Sequence, residues 1–124
     1  MFARKVSALL KPNSVSDFAK LMESEVLPWL RKQKGFLDLI ILVVPDGNEV
    51  ATISFWDQPA NAEAYNTSGY PEVLGILEGL LDGRPYVKTF EVVSSTLQKL
   101  PSGRPSKAES LQKTAPTQFS YPSV

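Results

Sequence analysis

Residues 49–56, EVATISFW, alternate with a two-residue period, which places Thr52, Ser54 and Trp56 along one wall of a strand. An indole is a flat apolar surface with one N–H donor, and that combination suits a planar ligand in a mostly apolar pocket. The same residue serves equally well as a core plug at the end of a sheet. The two hydroxyls can line the pocket wall or simply leave room for a bulky helix side chain. Asp57 follows directly. A carboxylate whose pKa is raised by burial can take the proton of a phenol, whereas an exposed one at a helix start gains from the helix dipole instead. Tyr65 and Tyr70 fall on or near the next helical segment. Their hydroxyls either bond a quinone-like oxygen or rest at the rim of a packed layer. Arg4 and Lys5 are adjacent on an N-terminal strand and point to opposite faces, so at most one reaches a given cavity, where it can hold an anionic oxygen. The alternative for either is a solvent or interface position.

What is missing narrows the chemistry further. The sequence has no cysteine and no histidine. Thiolate nucleophiles, disulfides, cysteine zinc sites and iron–sulfur clusters are thereby excluded, as are the usual Ser-His-Asp triad and a histidine-ligated haem. There is no glycine-rich phosphate loop, no nucleophile elbow and no carboxylate set at metal spacing; Asp17, Glu23 and Glu25 read as a solvated helix face. No metal or prosthetic group is expected. Thirteen basic and thirteen acidic side chains cancel, so the overall field offers nothing to nucleic acid or anionic membranes. No apolar window approaches a membrane span, and Val6–Leu10 is too short for a signal peptide. A cytoplasmic location is the default expectation.

The elements that must position these residues are well punctuated. Residues 2–10, FARKVSALL, read as a first strand ended by Lys11-Pro12. Ser14 followed by Asp17 approximates a capping box, and Val15, Phe18, Met22, Val26 and Trp29 form an apolar helical stripe of ordinary core type. Pro28 is expected to kink that helix or thin its hydrogen bonds, and Gly35 to stop it. Residues 36–44, FLDLIILVV, do not alternate from Leu39 onward and predict a strand buried on both faces. Pro45–Asn48 is a turn leading into the EVATISFW strand. Pro59 suits the first turn of a helix starting near Gln58; Asn66–Gly69 interrupts it, and YPEVLGILEGLL resumes helical spacing, with Gly75 and Gly79 read as close-packing positions. Residues 84–95 predict the final strand.

At 124 residues with 43% apolar side chains, the chain can build one core. That domain is expected over residues 1–100. Residues 101–124 are rich in proline and serine, carry Arg104, Lys107 and Lys113 against Glu109, and read as a tail. The order strand, helix, strand, strand, helix, strand is the ferredoxin-like βαββαβ arrangement, an α+β fold with both helical segments on one face of a four-stranded antiparallel sheet. The second strand lies at an edge there, and an edge and face as apolar as LIILVV call for a partner. A homodimer with two-fold symmetry closed over the open sheet faces is the simplest solution.

The segments MFARKVS, EVLPWLRKQKGF, PDGNEV, ISFWDQPANAEAY and VKTFEVV, in this order and spacing, resemble the antibiotic biosynthesis monooxygenase (ABM) domain over about residues 1–97. The resemblance implies a dimeric α/β barrel, with each ferredoxin-like subunit holding a ligand between sheet and helices, and cofactor-free oxidation of a small aromatic or quinol-type substrate by O2. It assigns the tryptophan closing the third strand to Trp56. Some catalytic relatives place an asparagine on strand one, which is absent from residues 1–12, and haem-degrading relatives add a helix histidine, which this chain lacks. From these departures follows the alternative expectation: a non-catalytic small-ligand-binding or dimerisation module whose tail engages a partner.

Overall fold

A computed structural model describes residues 1–96; the tail expected over 101–124 lies outside them. All regular elements fall within Met1–Glu91. They are β1 (Phe2–Leu9), α1 (Val15–Leu21), a π-helical segment (Met22–Val26), α2 (Leu27–Arg31), β2 (Phe36–Val43), β3 (Glu49–Trp56), α3 (Pro59–Ser68), α4 (Tyr70–Leu77) with a 3-10 turn at Glu78–Leu80, and β4 (Tyr86–Glu91). The four strands form one antiparallel sheet in the order β2-β3-β1-β4. This is the ferredoxin-like α+β fold, with the helices against one face of the sheet.

The first helical stretch shows how sequence becomes geometry. Its buried residues are Phe18, Met22, Val26 and Leu30, four apart throughout. On a regular α-helix a strict four-residue repeat drifts by about 40° per step, and the wider i→i+5 winding of Met22–Val26 offsets that drift and keeps the stripe on the core. Leu30 therefore takes the core position expected of Trp29. Pro28 follows the π-helical segment with no break in helical backbone angles, Val26 and Leu27 both being helical, so it does not end the helix. The capping box does not form: Ser14 already has helical backbone angles, its hydroxyl turns back to donate to the Pro12 carbonyl at 3.5 Å, and no side-chain cap bond is made.

Three further expectations are corrected. The last strand ends at Glu91 rather than residue 95, because Glu91 already faces Phe2 at the very start of β1 and the ladder has no further partner. The helix break is confined to Gly69, since α3 runs through Ser68 and α4 starts at Tyr70, with Pro71 unable to donate to the turn before it. Gly75 and Gly79 have open space where a Cβ would stand, so close packing does not explain them.

The sheet has two unlike faces. Trp56, Ser54, Thr52 and Val50 of β3 pair with Phe2, Arg4, Val6 and Ala8 of β1, and this face lies under the helices. On the opposite face β2 is not buried as expected: Ile40 and Leu42 remain 36% and 46% exposed, and Phe90 of the other edge strand 43%. Among the described residues no layer covers them.

Gly35 joins α2 to β2 with φ +84°, and its carbonyl accepts the Asp57 N–H at 2.9 Å. A Cβ there would run into the side chains of Asp57 and Asn61 as well as requiring left-handed backbone. Gly35→Ala is expected to destabilise the fold by about 1–3 kcal/mol, read as a lowered urea midpoint at unchanged m-value.

Candidate functional site

Where β3 hands over to α3, four aromatic rings pack in sequence. Phe36 meets Trp56 edge-on at 5.7 Å, Trp56 stacks on Tyr65 at 5.0 Å and 28°, and Tyr65 tilts against Tyr70 at 6.2 Å. Trp56 has no solvent exposure. Its indole N–H is already spent, donating to Ser54 Oγ at 2.9 Å, while the Ser54 hydroxyl in turn lies 3.4 Å from the Arg4 carbonyl. The tryptophan thus anchors the rest of the row from behind.

Arg4 ends the row. Parity on β1 puts it on the helical face beside Ser54 and Thr89, and it is only 3% exposed. Its guanidinium carbon lies 4.1 Å from the Tyr70 ring centre and 5.2 Å from that of Tyr65, within range of a cation–π attraction. One terminal N–H₂ donates to Asn66 Oδ1 of α3 at 2.7 Å. No carboxylate forms a salt bridge with it among the described residues. Burial pulls its pKa down, opposed by the two phenols, but a guanidinium starts so high that it stays charged. Lys5 points to the opposite face.

Arg4 lines two spaces. The inner hollow under the helices, about 50 Å³, is lined by apolar side chains of the sheet, α1 and α4, together with Arg4, Thr52, Ser54, Tyr65 and Tyr70. It has room for small molecules such as water and none for an aromatic ring. A wider cleft of about 480 Å³ lies between α3 and the β1–β4 side of the sheet, lined by Phe2, Arg4, Ala62, Glu63, Asn66, Val87 and Thr89 among others. Its volume falls in the range of small-molecule sites.

The sequence-derived candidates separate accordingly. Thr52, Ser54, Tyr65 and Tyr70 come together around the inner hollow, with Trp56 behind them and not in its lining. Asp57 lies apart, exposed, its Oδ1 accepting the Asn61 amide at 2.8 Å as a helix-start contact. Phe2, Asn66 and Thr89 drew no attention in the sequence, although the parity that places Arg4 also places Phe2, and register alone brings Thr89 alongside. The Tyr65 hydroxyl has no hydrogen-bond partner among the described residues although the residue is only 4% exposed, and the Thr52 hydroxyl likewise lacks one. Both can bond whatever small oxygen-bearing species enters the hollow.

No family model matches the sequence, and no curated protein does. Solved structures match clearly. A protein of unknown function from Nitrosomonas europaea, NE2512, superposes with a TM-score of 0.67 at 20% identity, covering 82% of this chain and 95% of its own. A monooxygenase from the gene ActVA-Orf6 of Streptomyces coelicolor, in complex with the ligand nanaomycin D, gives 0.66 at 21% identity over 77% of this chain and 90% of its own. SnoaB, a cofactor-independent oxygenase from Streptomyces nogalater, gives 0.64 at 14% over 76% and 94%. The structural neighbours are thus antibiotic biosynthesis monooxygenases, and the chain has their fold.

Burial raises the pKa of Tyr65 to about 12, Arg4 opposing and Tyr70 reinforcing the shift, and burial raises Tyr70 as well. Both phenols are therefore donors at neutral pH. The folded state holds the Tyr65 proton to about pH 12, whereas an unfolded tyrosine releases it near its ordinary value of 10.0, so the folded form binds more protons between those values. Stability from this group is complete below pH 10 and is lost as pH rises through about 12. Denaturant titrations at pH 9 and pH 11 are expected to show that loss, and Tyr65→Phe to reduce it, with Tyr70 accounting for a remainder.

Proposed function

We propose that the protein is a cofactor-independent monooxygenase acting on a small aromatic or quinol-type substrate with O2. The observation that carries this reading is that Arg4 lines both a ring-sized cleft with apolar walls and a small hollow bearing two unpartnered hydroxyls. The fold shared with SnoaB and with the nanaomycin D complex supports it. Oxidation of an activated CH2 between aromatic rings to a carbonyl consumes one O2 and releases one water, and the electrons come from the substrate's own enolate. The protein's part is to orient the ring, stabilise the anionic oxygen and keep bulk water away. The Tyr65 hydroxyl, protonated at neutral pH, donates to the developing oxyanion, and Arg4 supplies the positive field. Trp56 positions Tyr65 by stacking and fixes Ser54. Its N–H, already donated to Ser54, does not reach a ligand.

Incubation with a panel of anthrones and hydroquinones, with and without O2, tests the assignment. The expected outcome is O2-dependent consumption that falls about ten- to a hundredfold in Tyr65→Phe. Decay at equal rates with and without O2, indifferent to Tyr65→Phe, would remove it. Saturable binding of those compounds without turnover would instead make the chain a ligand-binding module.

The assembly belongs to the same reading. Ile40, Leu42, Tyr86 and Phe90 form an apolar sheet face that the described residues leave uncovered, and a second copy buries it most simply. The wild-type chain is expected to sediment as a dimer at micromolar concentration and Leu42→Glu as a monomer. A stable wild-type monomer contradicts this.

A further inference from the structure

We infer that Arg4 is a carboxylate receptor, so that the cleft between α3 and the β1–β4 side of the sheet takes a small aromatic monoacid with its acid group on the guanidinium. The inference rests on reading this cleft as a small-aromatic site and narrows its substrate class.

Five points lead there. The Arg4 side chain has five N–H donors, yet among the described residues its one hydrogen-bond partner is Asn66 Oδ1. A charge 3% exposed, with no carboxylate in salt-bridge contact among the described residues and offset by two ring faces, is costly to bury and leaves capacity for an anion. The guanidinium fork matches the two oxygens of a carboxylate, a bidentate geometry that a lone phenolate oxygen does not use. Walls of Phe2, Ala62 and Val87 next to that cation match an aromatic body carrying one acid group. Finally, Glu63 lines the same cleft. Its negative charge weighs more heavily against a phosphate dianion than against a monoanion.

Calorimetry on the full chain without O2, using 2-naphthoate, its neutral isostere 2-naphthamide and inorganic phosphate, decides the matter. The wild type is expected to bind naphthoate at least tenfold more tightly than naphthamide. Arg4→Met should abolish that preference and Arg4→Lys should restore part of it. Should Arg4→Met fail to fold, the naphthoate-induced shift of the Arg4 Nε–H resonance in the wild type, absent with naphthamide, reports the same contact. Equal binding of acid and amide, a preference that survives in Arg4→Met, displacement of naphthoate by phosphate, or no naphthoate binding at millimolar concentration would each overturn the proposal. The oxygenase reading fails separately: acid selectivity without O2 uptake discards catalysis alone, and O2-dependent turnover without acid selectivity discards the carboxylate assignment alone.

Discussion

A guanidinium placed in a hydrophobic layer has to be compensated, and much of this site is arranged around that need. Parity on β1 sends Arg4 under the helices. Removing such a charge from water costs several kcal/mol unless other groups replace the lost hydration. Here the replacements all come from the α3–α4 region: the Asn66 side-chain oxygen Oδ1 and the faces of Tyr65 and Tyr70. Gly69 brings that region close, since a Cβ at this position would stand 2.6 Å from Tyr65 Cδ1, and its carbonyl accepts the Trp29 indole N–H at 3.1 Å. The helical layer is in this way tied to the cation that the sheet presents to it.

The same constraint explains the tyrosine–tryptophan row. Tyr65 must hold its ring toward Arg4, and stacking on Trp56 fixes it there. Trp56 is in turn locked by Phe36 and by its bond to Ser54. A site meant to orient a flat ligand gains from such a rigid backing, because side chains already frozen by packing lose little further entropy when something binds. The burial that freezes the row also keeps both phenols protonated, which makes them donors toward an anion rather than bases.

The outer face of the sheet follows a different logic. Two edge strands carry apolar side chains that no other described residue covers, and continuous burial of β2 was legible in LIILVV only as a demand. Each residue there had the pattern of a core strand, but half of that core is not supplied by the described residues of one chain. The hydrophobic pattern of a sequence specifies that a surface needs covering and does not say by what.

Element order, the α+β class and most boundaries were determined by the sequence itself, because they depend on local signals: the two-residue period of EVATISFW, Pro59 at a first helical turn, and Gly35 at a left-handed stop. So was the parity separating Arg4 from Lys5. The partners of Arg4 were decided by tertiary structure, since Asn66 lies 62 residues away in sequence and meets it only when α3 packs on β1. The fate of Trp56 was decided there too: a strand pattern can set the face on which an indole lies, but whether its N–H is free or already given to Ser54 depends on side-chain packing, which no short-range period encodes.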